Sequence, residues 1–123
     1  MENELDLLLR TAIDSLPKLE ILIHFIRDSG AVRTAAEIGV HLRRPADEVT
    51  KALEELSQAG LIDRFALGTG KHVLYGPRDD NHVRELLQLL YTRYQTPTGR
   101  VQLLREAMGQ GGRSELQSEP AAP

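Results

Sequence analysis

Apolar residues at the start of the chain recur at spacings of three and four. Leu5, Leu8, Leu9, Ala12, Ile13 and Leu16 fall on one stripe, which predicts an amphipathic helix over residues 3 to 16. Pro17 follows Ser15 at the kind of position where a helix restarts, because proline fits the first turn and cannot sit within one. The spacing then predicts a second helix over 17 to 28 that buries Leu19, Leu22, Ile23 and Ile26 and stops near Gly30.

Thr34-Ala35-Ala36-Glu37 is a capping box and sets the start of a third helix over 35 to 42. Ile38 and Leu42 point inward on it, and Gly39 leaves room for a close neighbour. After a short turn at Arg43-Arg44, Pro45 opens a fourth helix that runs to Ala59, with Val49, Leu53 and Leu56 inward and Gly60 at its end. A short capped helix followed by a longer one reads as a helix-turn-helix. From Leu61 to Tyr75 the pattern changes to alternation around Gly68-Thr69-Gly70, which predicts two short antiparallel strands. A further helix over 81 to 95 carries Val83, Leu86, Leu87, Leu90 and Tyr94 on one face; Thr96-Pro97-Thr98-Gly99 breaks or kinks it. A last helix over 100 to 108 carries Val101, Leu104 and Met108, and the composition of 110 to 123 predicts a disordered tail. The expected fold is mostly α with a small β-hairpin wing: an N-terminal helix (1–16), a winged helix-turn-helix (17–78), C-terminal helices (79–109) and the tail.

Composition narrows this picture. With 4% aromatic residues and no Trp, the core must be built from Leu, Ile, Val and Ala. The absence of Cys removes disulfides, thiolate metal sites and cysteine nucleophiles. An acidic N-terminus without a long apolar run predicts neither a signal peptide nor a membrane span, so a cytoplasmic location is expected. The net charge of −3 does not announce a polyanionic partner. Its distribution is uneven: the central segment 17–78 holds nine basic and eight acidic side chains, and the acidity lies in the flanks.

With the elements placed, residues 17 to 77 resemble the winged-helix domains of prokaryotic transcription regulators of the MarR-like and ArsR-like groups. The resemblance rests on Thr34 to Leu42 as positioning helix, Val49 to Leu56 as recognition helix, and Ala59-Gly60-Leu61-Ile62 where the hairpin begins. It implies a DNA-binding regulator whose second helix enters the major groove, and a homodimer made by the terminal helices. The chain departs from the pattern twice. Arg43-Arg44 occupy the turn where such families carry Gly and an apolar residue, and Asp47-Glu48 stand where their side chains face base edges. Carboxylates beside phosphates need basic neighbours to offset them.

The DNA contacts expected on this reading are Arg33, Thr34, Arg43, Arg44, Thr50, Lys51, Arg64, Lys71 and His72, long or polar side chains around the rim of the reading helix. The bland alternative is a set of solvated surface groups. Asp47 and Glu48 also have a local explanation, because acids in a first helical turn are worth roughly 0.3 to 1 kcal/mol against the macrodipole. The expected dimer interface is Leu5, Leu8, Leu9, Ile13, Leu86, Leu90 and Tyr94; alternatively these stripes cover the core within one chain. No metal, cofactor or catalytic constellation is expected: the four histidines lack ligand spacing, and there is neither a P-loop nor a nucleophile elbow. Two functional readings follow: a DNA-binding regulator, or a winged-helix module that binds a protein and not DNA. A positive collar around residues 43 to 51 would favour the first, an acidic or apolar surface the second.

Overall fold

The computed structural model describes residues 2–28, 30–68 and 72–118; side chains of residues 2 and 109–118 lie outside that set. The described chain runs α1 (Glu2–Thr11), α2 (Leu16–Arg27), α3 (Ala35–Leu42), α4 (Ala46–Gln58), β1 (Ile62–Leu67), β2 (His72–Pro77), α5 (Asn81–Gln95) and α6 (Pro97–Ser118). It is a helix-rich fold with one two-stranded antiparallel hairpin.

Helix α2 is the axis of the packing. Leu19, Ile21, Leu22, Ile23 and Phe25 are all buried, so the helix is covered almost all round and not along one stripe. Helices α3, α4, α5 and α6 each pack on it. Helix α1 stops at Thr11, earlier than the stripe predicted, yet Ile13 is fully buried. The amides of Ala12 and Ile13 both donate to the Leu8 carbonyl, and this tight turn carries Ile13 inward without further helix.

Local chemistry fixes α3 and α4 as a pair. Thr34 accepts from the Glu37 amide while the Glu37 carboxylate accepts from the Thr34 amide, the reciprocal cap read from the sequence. At the other end Arg43 adopts a left-handed conformation (φ 58°), and the Arg44 amide returns to the Gly39 carbonyl at 2.9 Å. A Cβ at Gly39 would stand 2.9 Å from the Arg44 carbonyl oxygen, so the turn closes onto that residue.

The hairpin pairs Ile62 with Pro77, Arg64 with Tyr75 and Leu67 with His72. Arg33 adds a one-residue bridge to Tyr75, with both amide-to-carbonyl bonds formed at 2.9 and 2.8 Å. This joins the α2–α3 connection to the sheet edge.

Helix α6 begins at Pro97, three residues before the expected start. Thr96 ends α5 in an extended conformation and caps α6: its hydroxyl accepts from the Gly99 amide and its carbonyl from the Arg100 amide. The inward residues of α6 are Leu103 and Ala107, whereas Val101 and Met108 are more than half exposed, a shift from the predicted stripe that docking against α1 imposes. Helix α6 runs on to Ser118, ten residues past the expected end at 108, so residues 110–118 of the expected disordered tail have helical backbone; residues 119–123 lie outside the described residues. Among the described residues, no helix is long and apolar enough to cross a membrane.

Candidate interaction surface

The outward face of α4 is the natural place to look for a partner. Its sequence sets Asp47, Glu48, Glu54 and Glu55 against Lys51, and the cations around it come from neighbouring elements. Most of those cations are already engaged by carboxylates of the same chain.

Arg44, in the turn, donates from Nε to Glu20 on α2 at 2.5 Å and from Nη1 to Glu48 on α4 at 3.2 Å. The bond to Glu20 raises its guanidinium above the ordinary arginine value. Arg64 on β1 donates to Glu54 at 2.7 Å, and the Tyr75 hydroxyl donates to the same carboxylate oxygen. That hydroxyl, then Arg64, hold Glu54 below the usual carboxylate range. Burial, then the bond to Glu54, push Tyr75 up to about 12. Arg33 reaches Asp28 at 3.2 Å. Lys18 is buried, with Nζ 2.6 Å from both Asp14 and Glu55. Burial works to lower its pKa, but the two carboxylates outweigh it and the ammonium ends above its ordinary value.

The hydroxyls expected to meet a partner are also occupied locally. Thr34 is the helix cap, and Thr50 donates to the Ala46 carbonyl at 2.7 Å. Arg43, Lys51 and His72 are exposed. Lys71 lies outside the described residues. The structure therefore brings Arg43, Arg44 and Lys51 around the start of α4, with Arg64 alongside its later turns, but as a charge-balanced surface. The central partners missed by sequence reading are Glu20, Asp28 and Tyr75. Glu20 lies 24 residues before Arg44, and no local spacing links them.

Exposed apolar side chains accompany these pairs. Val40 on α3 is 81% exposed, and Val32, Phe65 and Leu67 are exposed around the hairpin. Val32 and Phe65 both border Gly76, which places them side by side on one face of the sheet.

The side chains read as a dimer stripe lie elsewhere. Leu5, Leu9, Ile13, Leu86 and Leu90 are 2% exposed or less and belong to the chain's own core; Leu8 and Tyr94 are half-buried against it. Among the side chains described on α1 and α6, the exposed large apolar residues are Leu7, Val101 and Met108. Among the described residues, no group of three or more His, Asp or Glu side chains is placed to hold a metal ion.

Comparison of the chain with protein-family models, curated proteins and solved structures finds no match.

Proposed function

We propose that this chain is a winged-helix interaction module whose α3–α4 and hairpin surface binds a protein and not nucleic-acid phosphate. The observation that carries the reading is the internal pairing of the arginines around α4. Arg33, Arg44 and Arg64 each face a carboxylate of the same chain, so binding a phosphate there would have to compete with Asp28, Glu20, Glu48 or Glu54. Counterion release, which drives most non-specific DNA affinity, needs an excess of uncompensated cations. That excess is small here. The exposed Val32, Val40, Phe65 and Leu67 supply the apolar contacts a protein partner would cover.

A second reading, the regulator that docks α4 in the major groove of duplex DNA as a homodimer, is favoured by Arg43 and Lys51. Both are exposed cations beside the start of α4, and Arg43 holds a left-handed backbone that glycine would adopt more easily. The two readings separate when the internal acids are removed. Glu20→Gln with Glu48→Gln frees Arg44. On the protein-binding reading, a low-salt shift assay shows no retention of random duplex by the parent chain, and a gain in the double variant. Tight retention by the parent chain, unchanged in the double variant, would exclude it.

A further inference from the structure

The hairpin leaves one strand edge unused. Strand β2 is flanked on both sides, by β1 and by the one-residue bridge from Arg33. Its Tyr75 uses both amide and carbonyl on Arg33, at 2.8 and 2.9 Å. Along an antiparallel pair, opposed residues that exchange both backbone bonds alternate with opposed residues that exchange none. Arg64, opposite Tyr75, therefore points its amide and carbonyl away from β2, and by the same alternation so does Ala66. Among the described residues, no backbone group pairs with that outer edge. The edge is also open to solvent, since Arg64, Phe65, Ala66 and Leu67 are all exposed.

Exposed edges are normally blunted by proline, lysine or a bulge. Strand β1 has neither proline nor lysine, and its register with β2 runs residue for residue without a bulge. Its two charges are turned back into the chain, Arg64 to Glu54 at 2.7 Å and Asp63 to Arg78 at 3.3 Å. The edge thus offers no unmatched charge to select an acidic or a basic strand. It offers an apolar row instead: Phe65 and Leu67 share the outer face by alternation, with Val32 beside Phe65. The strand that fits is apolar and has its charges already matched, which describes a second β1.

We propose that the outer edge of β1 docks a second copy of this chain, β1 against β1 and antiparallel, about a two-fold axis at Phe65. This names the partner for the hairpin part of the protein-binding surface and rests on that reading. In this register each Arg64 exchanges both backbone bonds with the partner's Ala66, and the two Phe65 rings meet on the outer face. Leu67 comes opposite the partner's Asp63, whose carboxylate is held by Arg78 and by the Asp79 amide. A two-fold axis at Arg64 would set two guanidinium groups opposite each other. An axis at Ala66 would run Arg64 onto Gly68, which has left the strand at φ 63°. Paired about Phe65, the two hairpins become one continuous sheet with both free edges satisfied.

Sedimentation of the full chain from micromolar to millimolar concentration should show a reversible rise from monomer to twice its mass. Over the same range, amide exchange should slow at Arg64 and Ala66 but not at Phe65 and Leu67, which already bond to β2. Ala66→Pro removes an outward amide, and Phe65→Lys sets two ammonium groups at the axis. Each should weaken self-association by about tenfold or more. Val101→Lys, on the exposed face of α6, should leave it unchanged. A chain that stays monomeric at millimolar concentration overturns the proposal; if it also fails to retain duplex DNA, the protein-binding reading survives with a different partner. A dimer dispersed by Val101→Lys, or one whose Arg64 and Ala66 amides still exchange freely, would overturn the proposal as well.

Discussion

At Gly39 the space left for the chain is smaller than a methyl group. A Cβ would meet the Arg44 carbonyl oxygen at 2.9 Å, and that atom is backbone that cannot swing aside. Gly39→Ala should therefore destabilise the fold by roughly 1 to 3 kcal/mol, despite the better helix propensity of alanine, and chemical denaturation checks it. A gain in stability would show that the turn is looser than described. Tyr75 carries a second residue-scale prediction. Its hydroxyl is held neutral well above the ordinary tyrosine value of 10, up to about 12. A raised pKa means that the neutral form is the one the fold favours, so its contribution is complete below pH 10 and is lost as pH climbs toward 12. The stability difference between the parent chain and Tyr75→Phe should shrink over that window. A constant difference would mean that the Glu54 contact contributes little.

Elements with strong local signals were the ones most legible in the sequence. The capping box at Thr34 and Glu37 placed α3 at 35–42, and α5 was bounded correctly at 81–95, where the Asp80 carboxylate caps the Val83 amide. Reading was less exact where one signal had two meanings. Thr96-Pro97 both ends α5 and begins α6, since the threonine caps and the proline occupies a first turn. Apolar spacing likewise could not tell that Ile13 reaches the core from a turn and not from helix. Partners remote in sequence were invisible, and α1 shows why they matter. It is fixed to α5 by Glu4 to His82 at 2.6 Å and Asp6 to Arg93 at 3.0 Å, 78 and 87 residues apart. The Glu4 carboxylate raises the His82 pKa above 6.5, so this contact is fully present below pH 6.5 and fades as pH rises through the higher folded value. The difference in denaturation midpoint between the parent chain and Glu4→Gln should be largest below pH 6.5 and shrink as pH rises above it. A pH-independent difference would remove the ionic link. Leu9→Ala, in the same interface and 1% exposed, should cost about 2 to 5 kcal/mol by thermal or denaturant unfolding.

For the whole molecule, arrangement and charge point in different directions. The order of two short helices, a tight turn and a hairpin was readable from pattern alone, and it suggested a nucleic-acid reader. The distribution of partners was not readable, because Arg44 meets Glu20 and Arg64 meets Glu54 only after folding. Those pairs are partly exposed, and each is individually weak. Together they leave the α4 surface balanced where a DNA reader would be positive. The most direct test is a salt titration of the parent chain on random-sequence duplex DNA. The protein-binding account predicts no retention above that of a carrier protein at low salt, and hence no measurable slope. Retention at low salt, with the logarithm of the binding constant falling several-fold faster than the logarithm of salt concentration rises, would contradict it and restore the DNA-binding regulator.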